Sequence, residues 1–158
     1  MQRTDKFLIG IVAGIVLLVA AALVITLARP EATYQAQDTP KGVAHNYLLA
    51  LHKQDYEHAH SYLSPTLPGY PASADRFARD VQNSSWNFRL DVDTTLAIEN
   101  VVLGQDWASV KVRESRFSGG DLFDSDQSFT FFEMQLQFEG NDWKIVDSRY
   151  YTGRTLIL

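Results

Sequence analysis

The chain contains no cysteine, and it has fewer basic than acidic residues. Among 158 residues there are 14 Lys and Arg against 19 Asp and Glu, which gives a formal net charge of −5. Without cysteine the protein cannot be a lipoprotein anchored through a cysteine thioether. The acidic balance argues against nucleic acid and anionic lipid headgroups as partners, because both require a basic face.

Charge is also missing from residues 7–28, FLIGIVAGIVLLVAAALVITLA. A helix of that length extends about 33 Å and would cross a hydrocarbon core of about 30 Å. The sequence therefore predicts a transmembrane helix over 7–28, between a cytoplasmic tail (1–6) and a tether (29–38). A cleaved signal peptide is the alternative: its apolar core normally spans about 7 to 15 residues, although Thr26-Leu27-Ala28 offers a small-x-small cleavage pattern.

The charges that flank this run predict an orientation. Arg3 and Lys6 lie in the short tail, which the positive-inside rule keeps in the cytoplasm. The acidic excess follows the run. We therefore expect a single-pass protein of the cell membrane whose domain, residues 39–158, lies outside the cytoplasm. The lack of cysteine is compatible with that side.

Three helices are predicted at the start of the domain. Thr39-Pro40 provides a capping side chain followed by proline at the first helical position. Asp55 can cap a short second helix, and a third is expected over about 72–83. The prolines and glycine of PTLPGYP place a loop between the last two.

After Trp86 the apolar period changes from 3.6 to 2, which indicates antiparallel strands with one buried face. Gly104 and Gly140 each stand in a Gly-x-Asp-Trp turn and are expected to supply the positive φ of a tight hairpin. Phe129 and Phe131 fall in the opposite phase to their strand, which suggests a bulge or bend near Phe131. The expected fold is α+β: three helices on a curved, cone-shaped antiparallel sheet of about four to six strands. Its inward residues are Phe88, Leu90, Val92, Ala108, Val110, Val112, Phe132, Met134, Leu136 and Phe138.

The segment VAHNYLLALHKQDYEHAHSYLSP, followed by a strand-rich half that ends in NDWKIVDS, resembles the nuclear transport factor 2-like, or cystatin-like, superfamily. The resemblance covers about residues 39–151. It implies a cone of three helices wrapped by a bent sheet. The superfamily includes isomerases, dehydratases, transport factors and secretion-system scaffolds, so the fold alone does not identify a function.

The four histidines do not have the spacing of a metal site. His45 and His52 are seven residues apart, or about 10 Å along a helix, whereas two ligands of one metal need a spacing of three or four. His58 and His60 diverge on a helix. The acidic loop of residues 118–128 lacks the glycine and glutamate of a calcium loop. We therefore predict ordinary surface histidines, no metal and no cofactor.

Enzymatic activity is the less favoured interpretation. The steroid-isomerase chemistry of the same superfamily needs an inward carboxylate base with a tyrosine and a protonated acid. The strand acids fall on the polar phase, so no catalytic residue is assigned. A group of aromatic residues could instead line an apolar pocket at the open end of the cone, or simply fill the core. These are Tyr47, Tyr62, Phe77, Trp86, Phe88 and Phe131.

Two functions remain open at this point, beside the structural possibility that the domain merely completes a larger membrane complex and has no ligand of its own. The first is a non-catalytic domain that binds a protein partner or forms a homodimer through the exposed face of the sheet. The apolar end TLIL, residues 155–158, supports it weakly. The alternative is a module, possibly an isomerase or dehydratase, that binds a small apolar molecule in the cone. An inward carboxylate beside a pocket would favour that alternative.

Overall fold

The structure is a computed structural model that describes residues 2–27, 32–84, 88, 94–121 and 124–148. It divides into two compact units, Met1–Ala32 and Thr33–Leu158. Each is considered by itself, and the second is called the domain.

The first unit contains one helix, α1, over Gln2–Leu27. Its described side chains, those of residues 8–24, are all exposed. Within the described residues no helix is long and apolar enough to cross a membrane. The predicted transmembrane helix over 7–28 is therefore wrong: the segment is helical, but it is not found to be a membrane span.

The domain begins with three helices whose starts follow from their caps. Helix α2, Pro40–His52, is capped by Thr39, whose hydroxyl accepts a hydrogen bond from the Gly42 amide at 3.1 Å. Helix α3, Tyr56–Ser61, is capped in the same way by Asp55. Helix α4, Ala74–Asn83, is capped by Ser73. Such side chains satisfy amides that have no partner within the helix, and all three predicted helices of the domain are confirmed.

Four antiparallel strands follow and pair in the order of the sequence. They are β1, Thr94–Leu103; β2, Trp107–Asp121; β3, Asp124–Glu139; and β4, Asp142–Ser148. The predicted α+β class and the antiparallel sheet are thus confirmed. Of the first predicted strand, Phe88 is described and buried, whereas residues 89–93 lie outside the described part of the chain.

Two local predictions are corrected. Gly140 has φ +67°, as the hairpin prediction requires, but Gly104 is not among the described residues with positive φ. A Cβ at Gly104 would instead overlap the Trp107 indole, so close packing explains this glycine. No register shift lies near Phe131, which pairs with Arg113 in an unbroken ladder. The Phe131 ring points away from the face that carries Phe132 because side chains alternate along the strand, and no bulge is needed.

The core lies between the helices and the inner face of the sheet. Because side chains alternate along a strand, every second residue of β2 and β3 points to this layer. The edge of β4 is covered by the residues after α3: the Ser64 amide donates to the Ile145 carbonyl, and the Ile145 amide donates to the Tyr62 carbonyl, both at 2.9 Å. The buried apolar side chains of the described strands are those of Ala108, Val110, Val112, Phe132, Met134, Leu136, Trp143 and Ile145.

Candidate functional site

The side of the sheet that faces away from the helices is called the outer face, and it is defined by alternate residues of two central strands. Strand β2 contributes Trp107, Ser109, Lys111 and Arg113, and β3 contributes Phe129, Phe131, Glu133 and Gln135. Its aromatic side chains are about half exposed: Trp107 is 47 %, Phe129 51 % and Phe131 46 % exposed. Large apolar rings exposed together commonly mark an interaction surface.

Cations of the outer face are held over its rings. The Lys111 Nζ lies 4.6 Å from the centroid of Phe131, and the Arg113 guanidinium lies 5.7 Å from that of Phe129. Both distances are within the range of cation–π attraction. Arg113 Nε also lies 3.0 Å from Glu99 Oε1 on β1. The side chains are therefore ordered before any partner arrives, which lowers the entropy cost of binding.

Hydrogen bonds extend this order across the two strands. The Ser109 hydroxyl donates to Glu133 Oε2, and the Gln135 amide donates to the Ser109 Oγ, both at 3.2 Å. The outer face thus presents exposed rings, two cations and two carboxylates. Mixed charge around an apolar centre is the general composition of a protein interface.

A second feature is a cleft between α2, α3 and β4, with a volume of about 80 Å³. Sites for drug-sized ligands usually measure about 300–1,000 Å³. The cleft therefore accommodates a few water molecules or a very small group. Its lining consists of Gln37, Val43, Ser61, Tyr62, Asp142, Trp143 and Lys144.

A chain of polar contacts leads from the cleft wall to the surface. The Tyr62 hydroxyl lies 2.8 Å from His58 Nε2, and His58 Nδ1 lies 3.5 Å from Asp55 Oδ2. Burial raises the pKa of the Tyr62 phenol, so the hydroxyl keeps its proton and can donate it to Nε2 of the Nδ1–H tautomer. Tyr34 donates a hydrogen bond to Asp55 at 3.1 Å. The pKa of Tyr34 is raised, mainly by desolvation and to a smaller extent by this hydrogen bond.

Glu114 is the candidate residue that our sequence reasoning missed. It lies on β2 in the same phase as Val110 and Val112, and it is only 3 % exposed. Arg116 Nη2 lies 3.6 Å from Glu114 Oε1. Extending the alternation of β2 by one step beyond Val112 would have placed this carboxylate on the inner face. A buried carboxylate near a cation can take part in ligand binding or in proton transfer.

The histidines make structural contacts with their neighbours. The ring of His60 donates from Nε2 to the Pro71 carbonyl at 2.9 Å, and that of His45 donates to the Thr33 carbonyl at 3.2 Å. His58 belongs to the polar chain, and His52 is exposed at the end of α2. Across the part of the chain that the structure describes, no three metal-ligating side chains come together.

The structure separates the six aromatic residues of the predicted pocket. Tyr47, Tyr62, Phe77 and Phe88 are buried in one core cluster, where Phe77 and Phe88 pack edge to face at 6.2 Å. Phe131 lies on the outer face instead. Trp86 is outside the described residues. A ligand-lining role for the four buried rings stays a prediction.

Comparisons with known proteins bear on the fold. No family description and no curated protein matches the sequence. Among solved structures, a candidate calcium/calmodulin-dependent protein kinase type II association domain from Thiobacillus denitrificans aligns with a TM-score of 0.50. The two are 11 % identical, and the alignment covers 71 % of this chain and 93 % of the other.

Two further matches have lower scores. An NTF-2 like protein of unknown function from Shewanella oneidensis is 14 % identical, with a TM-score of 0.41 over 66 % of this chain and 88 % of its own. A cystatin-like fold protein from Nostoc punctiforme is 12 % identical and aligns with a TM-score of 0.44. That alignment covers 70 % of this chain and 90 % of the other. The neighbours are NTF2-like and cystatin-like fold proteins. The alignment with the association domain, at a TM-score of 0.50, supports the α+β arrangement of the domain and identifies neither a family nor a function.

Proposed function

We propose that the domain is a non-catalytic assembly module that pairs with a second copy of this chain through the outer face. The observation that carries the proposal is the set of exposed rings, Trp107, Phe129 and Phe131, held in order by Lys111 and Arg113. In a two-fold interface the same surface meets itself, so it must be self-complementary.

Charge on the outer face meets that requirement. Lys111 and Arg113 on β2 lie between Glu99 on β1 and Glu133 on β3. A two-fold rotation that superposes two such faces can set the cations of one copy against the carboxylates of the other. Electrostatic complementarity of this kind determines register and orientation more than affinity. The Thiobacillus neighbour is described as an association domain, and this description agrees with the proposal.

The absence of cysteine allows a direct test on the full chain. Gln135→Cys places one thiol on the outer face, and Gln82→Cys places one on the exposed side of α4. Under mild oxidation we expect a disulfide-linked dimer from the first variant and monomer from the second, on non-reducing gels. Phe131→Glu added to Gln135→Cys should abolish the cross-link.

Equal cross-linking of both variants would indicate random collision or association through another part of the chain. A Gln135→Cys chain that stays monomeric at high concentration would also contradict pairing through this face. Either result would remove the proposal.

Glu114 supports a second candidate function, the binding of a small molecule on the inner face. Its burial provides the inward carboxylate that such a site requires. Native mass spectrometry of the full chain tests this function: a bound mass of a few hundred daltons, lost on denaturation and absent from Glu114→Leu, would favour it. An unmodified mass in both chains would oppose it. The extracytoplasmic placement of the domain stays a prediction, and neither candidate depends on it.

A further inference from the structure

Residues 33–37, which follow α1 in the sequence and precede α2, form an extended strap on the helices of the domain. The sequence predicted an irregular tether over 29–38, yet these residues have defined contacts. The Thr33 carbonyl accepts from His45, and the Gln35 amide donates to Asn46 Oδ1 at 2.7 Å. Apart from Tyr34, the side chains of the strap are exposed.

Asn46 holds the strap as a neighbouring strand would. Its Nδ2 donates to the Gln35 carbonyl at 2.9 Å while its Oδ1 accepts from the Gln35 amide. One side-chain amide thus makes the paired exchange that two residues make in an antiparallel ladder. Asn46 is fully buried beneath the strap. If the strap lifted, this amide would exchange its hydrogen bonds with Gln35 for hydrogen bonds with water, and Tyr34 would leave its contact with the core.

Tyr34 covers the polar chain of the candidate site. Its ring lies 4.4 Å from that of His58, and its hydroxyl donates to Asp55. Lys53 Nζ lies 5.5 Å from the Tyr34 ring. At the other end of the strap, Gln37 forms part of the wall of the cleft together with Tyr62. The docked strap therefore contacts both the surface end and the cleft end of the chain Asp55–His58–Tyr62, and it leaves the His58 side chain 31 % exposed.

We propose that the strap is a releasable latch. It undocks without unfolding of the domain, exposes His58 further and opens the cleft beside Tyr62. Segments with few buried apolar contacts are those that open locally before the core does. Tyr34 is the one strap side chain that is not exposed, whereas alternate residues of β2 and β3 are buried.

Gly42 provides a selective way to lift the strap. A Cβ at this position would overlap the Ala36 carbonyl oxygen, which is backbone and cannot rotate away. Elsewhere in a helix, Gly→Ala stabilises the protein because alanine has the higher helix propensity. Gly14 on α1 is the matched control, since nothing lies within 4 Å of its added Cβ. The two substitutions are chemically identical; at Gly42 the added Cβ meets the Ala36 carbonyl and, at 3.1 Å, the Thr39 hydroxyl, whereas at Gly14 it meets nothing within 4 Å.

Residue-resolved hydrogen exchange on the full chain tests the latch. In the wild type we expect the Gln35 amide to exchange at least about 10-fold faster than the amides of Val110 and Val112. Gly42→Ala should accelerate Gln35 by a further factor of about 10 and leave Val110 unchanged, and Gly14→Ala should change neither. Modification of His58 by diethyl pyrocarbonate should rise in Gly42→Ala, with exposed His52 as the internal standard.

Two results would overturn the proposal. If the wild-type Gln35 amide exchanged at the rate of Val110, the strap would open only with the whole domain. If Gly42→Ala raised the melting temperature without faster exchange at Gln35, the strap would not be seated on Gly42. Tyr34→Ala is the second variant should Gly42→Ala fail to fold; it should raise His58 modification with the Val110 amide still protected.

Discussion

The two faces of the sheet carry the same kinds of side chain in opposite surroundings. Phe131 and Phe132 are neighbours on β3, yet the first is 46 % and the second 4 % exposed. The inner ring is packed against the helices, whereas the outer ring contacts water and the Lys111 ammonium. Residue type therefore does not distinguish core from interface in this protein; only the side of the sheet does. The proposed function depends on this difference.

The largest expected effect is the difference in stability between two single substitutions, one that truncates the inner ring and one that truncates the outer ring. Phe132→Ala removes a buried ring and should lower the free energy of unfolding by about 3–5 kcal/mol. Phe131→Ala removes a ring that is nearly half exposed, and we expect less than about 1 kcal/mol from it. Urea unfolding of the two variants measures both values. Equal losses would contradict the two-face description.

A smaller effect is expected at Tyr62, a polar group on the buried side. Tyr62→Phe removes the hydrogen bond to His58 and should cost about 1 kcal/mol at neutral pH. The raised pKa of Tyr62 also has a consequence at alkaline pH. The folded state holds the phenol proton more tightly than the unfolded state, so this contribution is complete below pH about 10 and is lost as the pH rises through the folded pKa.

Urea titrations between pH 8 and 11 follow this alkaline loss of stability. The wild type should lose more stability above pH 10 than Tyr62→Phe, with Tyr56→Phe as the control because the Tyr56 ring packs against Phe77. Parallel curves for wild type and Tyr62→Phe would contradict the assignment.

The smallest effect is expected from the charges of the outer face. Lys111→Ala and Arg113→Ala should each change the free energy of unfolding by less than about 1 kcal/mol, because exposed ion pairs and cation–π contacts contribute little to folding. If the face pairs with a second copy, the same changes should weaken cross-linking through Gln135→Cys, and more so at low ionic strength. If Lys111→Ala or Arg113→Ala caused a large loss of stability without any change in cross-linking, the outer face would contribute to folding rather than to pairing.

Much of the domain could be predicted because local signals agree with the final structure. The caps at Thr39 and Asp55 and the period-2 segments around Val110 and Met134 each report a nearby constraint. The predictions that failed depend on other constraints. The reason for Gly104 is the Trp107 indole rather than a positive φ, and the inward position of Glu114 requires the alternation to be followed past the last apolar residue of β2.

The segment before α2 illustrates a different limit. Polar, irregular residues gave no sign of regular structure, and a tether was the natural prediction. Their order comes from Asn46 and Asp55, which lie 11 and 21 residues further along the chain from their partners Gln35 and Tyr34. Contacts at such separations depend on how α2 and α3 are packed, and no local pattern contains that information.

The sequence by itself determined the α+β class, the three helices of the domain and the alternation of its strands, because capping and periodicity act over a few residues. Only the tertiary structure decided which rings are covered and which are exposed, that Phe131 is separated from Tyr47 and Phe77, and that Tyr34 of the strap packs against His58. Those outcomes depend on which elements pack together, and packing is decided by shape and burial across the whole domain.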